Sequence, residues 1–212
     1  MNFKPYDILL FSGEGLISKV IQRGTGSEWS HVGIVVPNGD KLVLLESTTL
    51  SDLPSIDFGV PIKGVTRVDL DKRIAAYEGK VAHRSIEGER PADANATLNL
   101  FLQKFNGRPY ETNQIELISS ALDRTGLLTN QPDMSSVFCS ELVAYLLNSV
   151  GILKITSSAN EYTPADFAEG GNAVLSGDRF QWGPTTVLGP RAKDTEEKPH
   201  WISKLLRFCK LD

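Results

Sequence analysis

Two short segments of the sequence carry residues suited to thiol chemistry. His31 lies in the apolar run Ser30–Val35 (SHVGIV), and Cys139 lies in the amphipathic segment Ser136–Val143 (SVFCSELV). A thiolate attacks a carbonyl carbon, and an imidazole acts as the base that takes and later returns the proton. The chain contains only three histidines and two cysteines, so there are few other ways to form such a pair. If the two segments meet in the fold, the base precedes the nucleophile in the chain.

The position of Cys139 offers a physical reason for thiolate formation. Asp133, Ser135 and Ser136 are typical helix-capping residues, and they predict that Cys139 lies in the first turn of a helix. The N–H groups and the positive dipole end of a helix N-terminus favour a thiolate and are suited to binding an oxyanion. Unpaired cysteine is also among the most buried residue types, so a structural role is an open alternative from this segment alone.

A third residue, Glu46, is predicted to orient the imidazole. Two apolar runs flank a Pro-Asn-Gly-Asp turn, which predicts a hairpin with Asn38 and Gly39 at its tip. His31 lies seven residues before Asn38, and Glu46 lies seven after Gly39, so a two-residue turn places them opposite each other on one face. A carboxylate in that position fixes the tautomer of a catalytic histidine. The alternative is a surface glutamate.

The remaining apolar patterns predict one domain of the α+β class, in which an antiparallel sheet packs against helices. Short apolar runs predict strands at Ile8–Phe11, Val32–Val36, Leu42–Leu45, Val65–Val68 and Val81–Arg84. Helical spacing predicts helices at Leu16–Ile21, Leu98–Phe105, Ile115–Leu122 and Cys139–Val150. Segregated strands and helices disfavour a doubly wound sheet. We expect this domain to span residues 1–188, followed over 189–212 by a charged linker and an amphipathic tail.

Composition excludes several classes of function. With 22 basic and 26 acidic residues, the chain has no general nucleic-acid footprint. Two distant cysteines make neither a disulfide framework nor a Cys-x-x-Cys metal site, so we expect no metal and no cofactor. Gly24-Thr25-Gly26 lacks the lysine and spacing of a phosphate loop and predicts a turn. No secretory signal and no apolar run of about 18 residues is found, so a cytoplasmic location is the default expectation, with export by another route left open.

An ordered set of motifs resembles the permuted papain-like amidases of the YaeF/YiiX type, which are relatives of the NlpC-type cell-wall peptidases. The motifs extend from about residue 6 to residue 167. They are DILLF (Asp7–Phe11), GLIS (Gly15–Ser18), SHVGIV (Ser30–Val35), LES (Leu45–Ser47), GRPYE (Gly107–Glu111), FCSELV (Phe138–Val143) and YTPADF (Tyr162–Phe167). In such proteins the papain-like order is circularly permuted, so the histidine comes before the cysteine.

The resemblance implies that Cys139 is the nucleophile, His31 the base and Glu46 the polar residue that orients it. It also implies that Tyr110 lines the site, where its phenol would donate a hydrogen bond to the oxyanion or to a substrate carbonyl. A core tyrosine after a Gly-Arg-Pro turn is the alternative. Trp29 and Ser30 directly precede His31 and are expected to border the substrate, although core or rim packing is an equal alternative for the tryptophan.

These residues predict a cysteine hydrolase that cleaves an amide bond, in a peptide or an N-acyl amide, through an acyl-enzyme. A lipid acyl hydrolase or acyltransferase is the second hypothesis, because the tail Trp201–Leu211 is suited to a membrane surface or a partner, although docking on the protein's own core is favoured for so short a segment. The third is a non-catalytic binding module that keeps the cleft. The other candidate residues form no rival pair: His83 is predicted to be a solvated strand residue, and His200 and Cys209 lie in or near the tail.

Overall fold

One antiparallel sheet organises the chain. The computed structural model describes residues 2–48, 52–109, 135–155 and 159–188. In these residues the strands are β1 (Ile8–Gly13), β2 (His31–Asn38), β3 (Lys41–Thr48), β4 (Gly64–Asp69), β5 (Gly79–Glu87) and β6 (Gln181–Leu188). The helices are α1 (Leu16–Thr25), α2 (Leu70–Ala76), α3 (Ala94–Phe105) and α4 (Ser135–Ser149). The strands pair antiparallel in the order β4-β3-β2-β1-β5-β6, which confirms the predicted α+β class.

The larger core lies on the side of the sheet that α4 covers, here called the α4 face. Leu10, Ile34 and Leu45 point to this face and belong to one fully buried cluster with Val143 and Leu147 of the helix. Burying each such side chain contributes about 1.5–3 kcal/mol, so the sheet and α4 stabilise each other. Because α4 carries Cys139, this packing fixes the position of the thiol against the central strands.

A smaller core lies on the opposite side of the sheet, here called the α2 face. Phe11 and Val35 from the sheet pack with Leu70 and Ile74 of α2 in a second buried cluster. Asp69 caps the helix by accepting a hydrogen bond from the N–H of the third helical residue at 2.9 Å. Covering both faces explains why β1 is a continuous apolar run rather than an alternating one.

Gly24 and Thr25, which were predicted to lie in a turn, are the last residues of α1, and only Gly26 follows the helix as its left-handed cap. Two further elements in the described residues were not predicted. Helix α2 was not predicted, because seven residues are too few for a helical period to stand out. Strand β6 was not predicted either, because Gly183 and Pro184 interrupt it, and such residues are tolerated at the edge that β6 forms. The predicted helix Ile115–Leu122 and the predicted linker and tail, residues 189–212, lie outside the described residues.

Candidate active site

His31 is the first residue of β2, and its side chain lies on the α2 face. The sheet register pairs it with Phe11, and the centroids of the two rings are 5.2 Å apart. Only 7% of His31 is exposed. The position at the end of a strand brings the ring to the edge of the buried layer, while the aromatic neighbour restricts its movement.

Glu46 in β3 contacts this ring directly. Its Oε2 lies 2.7 Å from Nε2 of His31, and the carboxylate is fully buried. Glu46 is therefore not the surface glutamate of the alternative interpretation. A buried carboxylate at this distance fixes the orientation of an imidazole, as expected of the orienting residue.

The hairpin brings His31 and Glu46 together in a different register from the predicted one. Asn38 pairs with Lys41, so the two-residue turn is at 39–40 and not at 38–39. The pairs extend to Ile34 with Leu45, and continuing this register by one position places Glu46 opposite Gly33 rather than His31, so the prediction of a directly opposed pair was wrong. Because the shift is an even number of residues, both side chains stay on one face, and diagonal neighbours remain within reach of long side chains.

A residue that sequence reasoning missed, Arg73 of α2, holds the other oxygen of the carboxylate. Its Nε donates to Oε1 of Glu46 at 2.8 Å, and only 7% of the arginine is exposed. The sequence did contain a signal: Leu70, Arg73, Ile74 and Tyr77 follow helical spacing, so the arginine occupies a position on the apolar stripe. A charged residue at such a position requires a buried partner.

Cys139 is a fully buried residue of α4 and a member of the core on the α4 face. The helix begins at Ser135, so Cys139 is its fifth residue and lies just beyond the predicted first turn. The unpaired N–H groups of a helix belong to its first four residues. Cys139 therefore lies one residue beyond the N–H groups that were predicted to favour a thiolate and to bind an oxyanion.

The thiol of Cys139 and the carboxylate of Glu46 both act on the His31 ring. The carboxylate engages Nε2, and the neighbouring Cys139 raises the pKa of the ring. Nδ1, the other ring nitrogen, is buried and has no hydrogen-bond partner within the described residues.

The charges around His31 and Glu46 shift the pKa values of both groups. Burial lowers the pKa of His31, but the charge and hydrogen bonds of Cys139 and Glu46 outweigh burial and raise the pKa to about 9. Burial likewise raises the pKa of Glu46, but Arg73 and His31 outweigh it and lower the pKa to about 2. At neutral pH the site therefore holds an imidazolium against a carboxylate, with the guanidinium of Arg73 on the other oxygen of that carboxylate.

The predicted substrate-bordering residues have different surroundings. Trp29 is 5% exposed and lines a cleft described below. Ser30 is buried, where its hydroxyl donates to the carbonyl of Phe11 and accepts from the N–H of Gly13. Its hydroxyl thus joins β1 to the segment that carries His31. Tyr110 lies outside the described residues.

A second histidine–carboxylate pair lies elsewhere on the sheet. Nε2 of His83 in β5 is 2.7 Å from Oδ2 of Asp7, which is fully buried, and 15% of the histidine side chain is exposed. The prediction of a strand was correct, but the prediction of a solvated histidine was wrong, because Asp7 needs partners for its buried charge. Asp7 also accepts from the backbone N–H of Ile86 and of Lys4. His200 and Cys209 lie outside the described residues.

Two other kinds of feature are absent from the part of the chain that the structure describes. Within it, no group of three or more histidine, cysteine, aspartate or glutamate side chains is arranged to hold a metal ion. None of the helices in the same ranges is long and apolar enough to cross a membrane.

Comparisons with known proteins find similarity among solved structures. No protein-family profile matches the chain, and no curated protein matches it. Among solved structures, the chain is similar to the metalloprotein YiiX from Escherichia coli O157:H7, with 18% sequence identity and a TM-score of 0.46. The match covers 89% of this chain and 97% of the YiiX chain.

Proposed function

We propose that this protein is a cysteine hydrolase that cleaves an amide bond through Cys139, His31 and Glu46. One observation carries the proposal: in a buried site, a single imidazole interacts with a thiol and with a carboxylate. A nucleophile, a base within its reach and a group that orients the base form the minimum constellation for acyl transfer. Nothing in a purely structural role requires all three to converge.

Each proposed residue has one task in the reaction. The thiolate of Cys139 attacks the carbonyl carbon of the amide, and the imidazolium of His31 gives its proton to the departing amine as the C–N bond breaks. Water then attacks the thioester, with His31 taking the proton, and the acid leaves as the thiolate re-forms. Glu46 keeps the ring oriented and stabilises its positive charge in both steps.

The order of the residues along the chain fits the proposed circularly permuted papain-like fold. The hairpin with the base and its partner precedes the helix with the nucleophile. The ordered motifs noted above support the same assignment. Together they make a YaeF/YiiX-type amidase the most specific form of the proposal.

The two alternative functions have less support. The lipid hypothesis depends on a tail that lies outside the described residues. A binding module without activity would be favoured by a thiol far from the imidazole, whereas here the two groups interact. Amide hydrolysis therefore stands as the proposed function.

Covalent labelling tests the nucleophile. A peptidyl acyloxymethyl ketone, which alkylates an active-site thiolate, is expected to label the wild-type protein once, at Cys139, because His31 is held beside that thiol. Cys209→Ala is the matched control, since it removes the chain's only other cysteine, and it should label as the wild type does. Mass spectrometry measures the stoichiometry and the site. Equal labelling of Cys139→Ala and wild type would refute the proposal.

Amide hydrolysis is expected to decrease as the pH rises through about 9. The pKa of His31, raised to about 9, sets the point at which the ring loses the proton that the departing amine needs. Alkylation of Cys139 by iodoacetamide needs only the thiolate and should not decrease over the same interval. In Glu46→Gln the alkaline limit should move to lower pH, because the carboxylate no longer raises the pKa of His31. Profiles of kcat/KM against pH measure the alkaline limit in both proteins. If the limit of Glu46→Gln lies at the same pH as that of the wild type, the assignment of this limit to His31 is contradicted.

A further inference from the structure

A cleft of about 790 Å³ opens on the surface of the protein. One wall is residues 24–29, at the end of α1, and the other lies within the segment 163–172. Thr185 and Val187 of β6 complete the lining. They pair with Arg84 and Ala82 of β5, and Ala82 belongs to the core of the α4 face, so the cleft lies on the face that also carries Cys139.

Both walls of the cleft adjoin, along the chain, segments that carry or contact the candidate active-site residues, and His31, Glu46 and Cys139 themselves are not among the lining residues. The first wall ends at Trp29, two residues before His31. The second includes Thr163, which directly follows Tyr162, and the carbonyl of Tyr162 accepts a hydrogen bond from Oγ of Ser140 at 2.5 Å. Ser140 is the residue after the cysteine. A molecule in the cleft would therefore contact Trp29, two residues from the base, and Thr163, next to the residue that accepts the hydrogen bond of Ser140.

The cleft carries three carboxylates, at Glu28, Asp166 and Glu169, and none of its described lining residues is a lysine or an arginine. Glu28 forms an exposed ion pair with Lys80, which lies outside the lining. Glu169 is exposed, and its charge acts on the buried guanidinium of Arg84.

Asp166 is held by neutral groups. Its two oxygens accept hydrogen bonds from the backbone and hydroxyl of Thr163 and from the amide of Asn172. Both of its oxygens are thus occupied by these donors, which leaves the exposed carboxylate of Glu169 as the one best placed to meet a cation.

We propose that this cleft binds the polar, positively charged portion of a peptide-like amide substrate, with Glu169 as the principal partner of its cation. The inference rests on the proposed amide hydrolysis and specifies its substrate. Carboxylates repel the phosphate of a lipid headgroup, and glycines at 24, 26, 170 and 171 leave backbone N–H and C=O groups uncovered for a peptide to contact.

Binding to Cys139→Ala tests the charge preference without depending on catalysis. Calorimetric titration would use three acetylated tripeptide amides that differ only in a central lysine, glutamine or glutamate. The lysine peptide is expected to bind about fivefold more tightly than the glutamine peptide, as one partly exposed ion pair would give. Adding Glu169→Gln should remove this difference, whereas Glu161→Gln, an exposed glutamate outside the cleft lining, should preserve it.

Blocking the cleft tests its location. A Cβ added at Gly24 meets nothing within 4 Å, so Gly24→Phe would place a ring in open space beside the cleft without disturbing the core. We expect it to weaken binding of the lysine peptide about tenfold or more, while Gly15→Phe, equally free of neighbours but outside the lining, should not.

Several outcomes would overturn this inference. The first is that the protein binds the three peptides with equal affinity, prefers the glutamate peptide, or binds none of them at millimolar concentration. The second is that Gly24→Phe does not weaken binding of the lysine peptide. Binding of phosphatidylcholine vesicles that Gly24→Phe abolishes would assign the cleft to lipid instead. These titrations use a protein without the nucleophile. Charge-selective binding would therefore support the proposed cleft even if Cys139 is not labelled. Labelling of Cys139 would support the proposed nucleophile even if the cleft shows no selectivity.

Discussion

Arg73→Met is expected to lower the free energy of unfolding by about 3–5 kcal/mol. The variant leaves Glu46 fully buried with one of its two partners removed, and an uncompensated buried charge is far more costly than a lost surface pair. The guanidinium also lies 5.0 Å from the centroid of the Phe11 ring and 5.2 Å from that of Tyr77, so favourable cation–π contacts are lost as well. Methionine keeps much of the apolar contact, which makes the charge the main difference. Urea denaturation measures the change.

Two further variants separate the buried charge from general damage to α2. Adding Glu46→Gln to Arg73→Met neutralises the stranded carboxylate and should recover part of the lost stability, which a double-mutant cycle would quantify. Lys80→Met removes a partly exposed ion pair with Glu28 and should change stability by no more than about 1 kcal/mol. If Arg73→Met costs no more than Lys80→Met, the ion pair with Glu46 does not contribute as proposed.

The pairing of His31 with Glu46 shows how far sequence reasoning reaches. The turn was misplaced by one residue, which shifted the pairing by two positions, yet both side chains remained on the same face because a strand alternates with period two. An odd shift would have separated them. The face of a strand residue is thus more robustly predicted than its exact partner, and long side chains compensate for a diagonal offset.

The other components of the site could not be derived in the same way. Arg73 reaches Glu46 only because α2 folds back over β3 and β4, a tertiary arrangement that no local pattern encodes. The cleft joins segments more than 130 residues apart, and its floor is the edge strand β6, whose glycine and proline hide it from pattern analysis. Local periodicity predicts elements, whereas buried charges and clefts depend on how the elements pack.

His31→Gln is expected to lower kcat/KM for amide hydrolysis by about 10³–10⁴-fold. Glutamine can still donate a hydrogen bond to Glu46, which also keeps its contact with Arg73, so the fold should be retained while proton transfer is lost. Without the imidazole, the residual rate should no longer fall as the pH rises through about 9. The rates are measured with fluorogenic N-acyl peptide amides as substrates. The denaturation midpoint shows whether the variant is folded.

His83→Gln is the matched control, because the chain places a second imidazole against a buried carboxylate at the same 2.7 Å distance. His83 contacts Asp7 and the ring of Phe3, and its pairing with Leu9 places it in the β1–β5 pair, away from the hairpin that holds Glu46. Its loss should leave kcat/KM within about twofold of wild type. What distinguishes the two histidines is the thiol: a carboxylate makes an imidazole rigid, but only His31 interacts with Cys139. Equal losses of activity in the two variants would mean that histidine–carboxylate pairing supports the fold and that His31 has no special role in proton transfer.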